Sequence, residues 1–329
     1  MASHNDGQPN NLKECDRMTL DTPTLLEALN SVTAIPIIPF DGDKVDYAGH
    51  AKNVDYLLRN NYLDNDRRRV IAIAGTSLIH HLSQEDQMRL IDATGRQMGY
   101  DGILISGIVP NPLETAGKLI EKQSNLERPP DAYLLMPLSG VSKPEGIYEY
   151  YMRFAERYAQ CCNARLLYYF RQQRDLEAVV RLINDSPHFI GVKVGTSEED
   201  VRLLIEGIGD NGIVMWGIGD RSTQAAELGT KGHTSGIAVA FARASDEINN
   251  AQRRGDYETS RQLETKVAGL EEIRFRNGRA YNYSAVVEAM ILSGFDDIEG
   301  GSGGPFNPRV PAEIAEEVRE AIKELAPYH

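Results

Sequence analysis

Eight short apolar runs, each followed by a segment with helical apolar spacing, constrain the fold of this chain more than any other feature. They lie at residues 32–39, 70–74, 102–106, 132–136, 165–169, 189–193, 212–216 and 233–237. None of them alternates apolar with polar residues. Such uninterrupted runs suit strands of a parallel sheet covered on both faces, because helices exclude water from either side. The intervening segments carry helix starts: Ser83 with Asp86 three residues on, Pro112 before LETAGKLIEK, Pro144 before EGIYEYYMRFAERYA, and Ser197 before EEDVRLLIEGI. Eight strand and helix repeats predict a (β/α)8 TIM barrel, an α/β fold of one domain, within a chain of 329 residues whose length alone leaves one domain or two. The rival, an open doubly wound sheet, demands a glycine-rich phosphate turn after an early strand, whereas the first run leads into PFDGDKVD.

The strand signal ends near residue 242. Residues 243–275, 282–293 and 311–325 read as helices, so the expected organisation has three parts. Residues 1–22 form a polar, flexible or loosely packed lead-in, 23–242 the barrel, and 243–329 a C-terminal helical extension packed on it. Gly300 to Gly304 lack a following Lys-Ser or Lys-Thr and read as a turn. The formal charge of −13 repels polyphosphate and excludes nucleic acid as the main partner. The run Arg67, Arg68, Arg69 and the pair Arg253, Arg254 are expected on solvated faces. Three cysteines, Cys15, Cys161 and Cys162, make neither a disulfide framework nor a thiolate zinc site. Eighteen apolar residues never run together and the start of the sequence has no apolar core of signal-peptide length, which argues against a membrane and for a cytoplasmic location.

Barrel enzymes place their chemistry at the C-terminal ends of the strands. There the second run ends in Gly75, Thr76 and Ser77, the fifth in Tyr168 and Tyr169, and the sixth in Lys193. A lysine in a poorly solvated cavity has its charged form disfavoured, and the free amine suits Schiff-base formation with a carbonyl. Periodicity alone leaves Lys193 either inside the barrel or one position out of phase and reaching solvent. Tyr168 reads either as a hydroxyl that shuttles protons or as an aromatic core residue. Thr76 and Ser77 offer hydroxyls and backbone N–H groups to a carboxylate, though such triplets also occur in ordinary loops. His80, His81 and His233 form no zinc motif, and no metal site is expected.

Five segments, in order, resemble the dihydrodipicolinate synthase and N-acetylneuraminate lyase family of Schiff-base aldolases. They are AIPIIPFDGDKVD at 34–46, GTSLIHHLSQEDQ at 75–87, LLYY at 166–169, FIGVKVGTSEED at 189–200 and ELGTKGHTSG at 227–236. The resemblance implies a Schiff-base lysine at Lys193, a proton-relay tyrosine at Tyr168, and a carboxylate seat at Gly75, Thr76 and Ser77. Thr76 also joins the relay. Thr234, Ser235 and Gly236, which follow His233 at the eighth strand's end, and Arg171 after the fifth strand are further candidate substrate contacts.

The activity so implied is a lyase, either aldolase or dehydratase, acting on a hydroxylated 2-oxo acid through a lysine iminium, without a cofactor. Homo-oligomers, dimers or tetramers, are implied as well. The chain departs from the family pattern at Leu78 and Ile79, where glycine and glutamate are usual, and at Pro137, Leu138 and Ser139, where the synthase branch carries two tyrosines. After Tyr168 it reads Tyr169, Phe170, Arg171, Gln172, Gln173 and Arg174 in place of an asparagine and a proline, and either arginine is a candidate for a distal carboxylate. These departures argue against synthase activity itself. They also leave open a catalytically altered member that binds a small molecule or regulates.

Overall fold

The eight apolar runs close into one parallel barrel in a computed structural model that describes residues 20–329. Its strands are β1 (Val32–Ala34), β2 (Val70–Ile73), β3 (Ile103–Ile108), β4 (Ala132–Leu135), β5 (Leu166–Phe170), β6 (Phe189–Val194), β7 (Ile213–Trp216) and β8 (His233–Ser235). Each pairs with its sequence neighbours, and β1 closes the ring by pairing with both β8 and β2. The flexible segment expected at the N-terminus, with Cys15, lies almost wholly outside the described residues, and a helix Thr22–Leu29 begins where it was to end.

Strands are shorter than their apolar runs at both ends of the closure. β1 stops at Ala34 because Pro36 and Pro39 have no N–H to give a ladder. After β8 the chain turns into a short 3₁₀ segment, Ile237–Val239. Helix starts follow the expected residues. Ser83 accepts from the Asp86 backbone N–H at 3.0 Å, capping the helix, while its hydroxyl donates to the Asp86 carboxylate at 2.6 Å. Pro144 opens its helix at the first position, where its missing N–H costs nothing.

The C-terminal part differs more. The helix expected over 243–275 is two, Ala242–Arg253 and Tyr257–Arg279, because Gly255 takes a left-handed turn at φ 74° and Asp256 caps the next start. The second of these kinks near its end, where Arg276, Asn277 and Gly278 leave helical geometry. Helices Ser284–Ser293 and Ala312–Ala321 follow. The glycine-rich stretch forms a small hairpin, Gly303–Gly304 against Asn307–Pro308. Among the described residues no helix is long and apolar enough to cross a membrane.

Of the arginines expected on solvated faces, Arg68, Arg253 and Arg254 are exposed, whereas Arg69 is buried and Arg67 half-buried. Arg69 is 2% exposed and grips Asp246 with two nitrogens at 2.6 and 2.7 Å, tying the entrance of β2 to the helix Ala242–Arg253. Arg67 reaches Asn249 at 2.6 Å and Arg253 reaches Glu27 at 2.7 Å. These links lie at the N-terminal ends of the strands, the end that reads as stability. Asp246→Ala strands the Arg69 guanidinium in the interior and is expected to cost about 3–5 kcal/mol in denaturant unfolding; a loss under about 1 kcal/mol, the range of surface pairs, would contradict this role.

Candidate active site

Strand parity decides which side chains face the barrel axis. Neighbouring residues on a strand point to opposite faces, so register partners on parallel neighbours share a face. Lys193 on β6 pairs with Tyr169 on β5, whereas Tyr168 pairs with Val192. Lys193 points inward, 5% exposed, with its Nζ 3.7 Å from the centroid of the Tyr169 ring. Two glycines make room for this pair. A Cβ at Gly217 would meet the Lys193 stem at 2.9 Å, and one at Gly195 would meet the Tyr169 ring at 2.5 Å.

The electrostatics follow from burial and from which charges are near. Burial holds the Lys193 amine below the ordinary lysine range, and Arg279 and Arg171 push the same way against the Tyr169 phenol. For Tyr169 burial works upward, but Lys193, Arg171 and Arg279 outweigh it and bring the phenol down to about 7. Both groups therefore give up a proton more readily than they would in water.

Tyr168, the expected relay residue, does not share this space. Its ring packs edge-on against Tyr151 at 5.7 Å, between the barrel and the helix Pro144–Phe154, and burial raises its phenol. Exposure does not tell the two tyrosines apart, at 6% and 7%; orientation does. The structure thus moves the tyrosine of this cavity one residue on, to Tyr169.

The loop after β2 divides its two hydroxyls. Thr76 lines the cavity, and its buried Oγ1 has no hydrogen-bond partner among the described residues. Ser77 turns away: its hydroxyl donates to the Pro36 carbonyl at 2.7 Å and accepts from the Ala74 N–H at 3.3 Å, so it braces the loop. Gly75 lines the cavity in a left-handed conformation, φ 45°, and Leu78 is held at φ 54°, a strained setting for a residue with a γ-branched side chain. Among the described residues no hydrogen bond links Thr76 to a tyrosine.

At the end of β8, Thr234 and Gly236 line the cavity, but Ser235 does not. Ser235 donates to Asp220 at 2.7 Å in a fully buried cluster with His233, 3.2 Å from the same carboxylate, and Ser245. Burial opposes the Asp220 charge, yet the hydrogen bonds from His233 and the serines hold its carboxyl below the usual range. Of the residues named from sequence, Lys193, Gly75, Thr76, Thr234, Gly236 and Arg171 meet at one cavity of about 280 Å³; Tyr168, Ser77 and Ser235 stand outside it. Arg174 also stays outside, bonded to Ser142 at 3.1 Å.

Sequence reasoning missed what the C-terminal part contributes. Arg274, Phe275, Arg279, Asn282 and Tyr283 close one side of the cavity, and His80 stands at its mouth. The Asn277-Gly278 dipeptide was the available signal, since it marks a left-handed turn that ends the helix and sends Arg279 back toward the barrel. Arg279 Nη2 donates to the Gly195 carbonyl at 3.1 Å. Arg274 is engaged by the buried Glu271 and by Asn282 Oδ1 at 2.8 Å. Among the described residues no three His, Cys, Asp or Glu side chains gather as metal ligands. The arrangement offers a buried amine, a facing phenol and a free hydroxyl, the means to attack a carbonyl and move protons about it.

Comparison with known proteins agrees with this geometry. A model of the dihydrodipicolinate synthetase family matches residues 28–324. The 4-hydroxy-tetrahydrodipicolinate synthase of Thermodesulfovibrio yellowstonii is 25% identical over 251 residues, 74% of this chain and 82% of the relative. The enzyme of that name from Pseudomonas putida is 25% identical over 246 residues, 73% of this chain and 80% of its own. The solved dihydrodipicolinate synthase of Bacillus clausii superposes with a TM-score of 0.80 at 20% identity, over 91% of this chain and 99% of that one. That of Oceanobacillus iheyensis gives 0.81 at 19%, over 92% and 99%. With the barrel, the inward lysine and the family match over residues 28–324 in agreement, this chain belongs to the dihydrodipicolinate synthetase family.

Proposed function

We propose that the protein is a Schiff-base lyase that cleaves or dehydrates a hydroxylated 2-oxo acid, with Lys193 as nucleophile and Tyr169 as proton relay. The observation that carries this reading is the Lys193 amine, buried in the barrel mouth with no carboxylate in salt-bridge reach among the described residues and a phenol facing it. A paired ammonium would be inert; an unpaired, desolvated one favours the free base.

In this reading the substrate carboxylate rests on the Thr76 hydroxyl and the loop around Gly75. Nζ adds to C2, two protons reach the carbonyl oxygen in turn, the first from Nζ itself, and that oxygen leaves as water to give the iminium. With a hydroxyl at C4, two outcomes share this electron sink. If the hydroxyl proton is taken, the C3–C4 bond breaks and its electrons enter the enamine. If a C3 proton is taken, the C4 hydroxyl departs as water. Tyr169, able to exist as phenolate near neutral pH, is the group that accepts and returns these protons. The solved enzyme of Acinetobacter baumannii, 24% identical, was crystallised with pyruvate, and the proposal extends that ligand chemistry to this chain. An intracellular homo-oligomer is part of the same proposal.

Borohydride added with pyruvate is expected to leave a reduced adduct on Lys193, read by peptide mass and absent from Lys193→Ala; no adduct across a wide pH range would overturn the proposal. The two tyrosines separate next. Tyr169→Phe is expected to lower turnover about 10²–10⁴-fold, while Tyr168→Phe stays within a few fold; the reverse order would return the relay to Tyr168. Phenolate fraction rises with pH, so near-ultraviolet titration should show one tyrosinate appearing around pH 7, missing in Tyr169→Phe. Ionisation of every tyrosine only near the ordinary value of about 10 would remove the phenolate from the mechanism.

A further inference from the structure

Cleaving or dehydrating a 4-hydroxy acid moves protons at two separate places, and the groups able to move them stand on opposite walls of the cavity. Lys193 and Tyr169 belong to neighbouring strands, β6 and β5, and touch. Among the described residues that line the cavity, the one other side chain that exchanges protons near neutral pH is His80. The lining arginines keep their protons. The Tyr283 hydroxyl is committed to the Ile38 carbonyl at 3.0 Å, and burial raises it. His80 follows β2, which lies diametrically across the ring from β6. A substrate held on Lys193 would therefore have the phenol on one side and the imidazole on the other.

The turn that carries His80 is firmly held. Leu78, at φ 54°, leads the chain into the 3₁₀ segment Ile79–His81. Ile79 is buried, and Gln87 Nε2 donates to its carbonyl at 3.0 Å and to that of Leu82 at 3.2 Å. On the next residue the His81 ring packs on Phe306, with centroids 4.9 Å apart. Of the three residues in this segment only His80 lines the cavity, and among the described residues no hydrogen bond ties up its ring. Burial, and after it the charge of His81, hold its imidazole below the ordinary value. No Asp or Glu lines the cavity to pull it back up, and the cations on the other walls are Lys193, Arg171, Arg274 and Arg279.

We propose that His80 is a second catalytic residue, the acid–base group for the hydroxyl at C4 of the substrate. The inference rests on the Schiff-base reading and gives His80 the C4 proton, leaving to Tyr169 those at C2 and C3. With the carboxylate at Thr76 and C2 on Lys193, the far end of the substrate points to the mouth, where His80 stands. In cleavage the imidazole takes the C4 hydroxyl proton, and the electrons of that O–H bond form the new carbonyl. The C3–C4 bond breaks and its electrons neutralise the iminium as an enamine. In dehydration Tyr169 takes a C3 proton to form the enamine, whose electrons expel the C4 hydroxyl as it receives a proton from the imidazolium. Water leaves and a conjugated iminium remains.

The test separates the C3 proton from the C4 proton. Exchange of the pyruvate methyl hydrogens in deuterium oxide, followed by NMR, needs Lys193 and a base at C3 but no group at C4. Consumption of 4-hydroxy-2-oxopentanoate, 4-hydroxy-2-oxoglutarate or a 3-deoxy-2-oxohexonate needs the C4 group as well. His80→Gln and His80→Asn are expected to keep exchange within a few fold of wild type, which also reports that the barrel is folded. On whichever of the three acids the wild type uses best, both are expected to lower kcat about 10²–10⁴-fold. Cleavage needs the neutral imidazole, so wild-type kcat should rise with pH through a value below the ordinary 6.5; dehydration needs the imidazolium and should fall there. Either limb should be missing from both variants. Turnover that survives the substitutions, or that falls only in step with exchange, overturns the proposal, as does a wild type that exchanges but leaves all three acids untouched. Absence of exchange in the wild type removes the Schiff-base reading itself, and the role of His80 with it.

Discussion

An amine kept inside a closed ring of parallel strands, with no carboxylate to hold its proton, is the constraint on which the rest of this structure depends. Water is excluded by the barrel wall, so the ammonium loses hydration and gains no ion pair in return. Burial therefore favours the free amine, and the Tyr169 phenol pressed against Nζ can take up its proton only as phenolate. Lys193 and Tyr169 are thus less two residues than one acid–base couple. Lys193 draws the phenol down, whereas Tyr169 pulls the amine up and burial outweighs it. The glycines at 195 and 217 are the steric condition for the couple, since side chains there would displace one member or the other.

The barrel was legible because its signal is redundant. Eight unalternating apolar runs, with caps such as Ser83 between them, all agree with one architecture, and a misjudged end, as at residues 35–39, does not disturb it. Lys193 was legible for a related reason: a charge that ends an apolar run stands out. The tyrosine was not. Tyr168 and Tyr169 are adjacent, one has to face in and the other out, and both environments accept an aromatic ring. The parity is set across the sheet, by a pairing with β6 that shifts register between Leu166 and Leu167, and no local pattern records that shift. Ser77 and Ser235 failed for a different reason. A hydroxyl at a strand end serves a ligand or the backbone equally well, and here Pro36 and Asp220 claim them. Arg279 was invisible because its place at the site is made by a kink some 80 residues beyond Lys193, as the 3.1 Å bond to Gly195 records.

Charge is segregated by depth in this protein. The acidic excess sits in a surface full of short helical pairs such as Lys118 with Glu114 and Arg243 with Glu247, which are screened and individually weak. The basic groups that matter are few and lie in a concave, poorly hydrated place where their field is least damped. An anion approaching the molecule therefore meets repulsion at long range and attraction only near the mouth. Salt that screens the outer field leaves the inner one largely intact, so the proposed 2-oxo acid would be selected by entering the cavity rather than by being drawn to the surface.

The dependence of the cavity on Arg274 and Arg279 also bears on how the site comes into being on the ribosome. The eight strands are complete once residue 235 has been made, and with them the amine and its phenol. The wall that gives the cavity its charge comes from residues 271–283, which follow later and must dock before the mouth has its final shape. The barrel therefore supplies the amine and the phenol, and the last part of the chain supplies the wall around them, so the two halves of the site are written in separate stretches of the sequence.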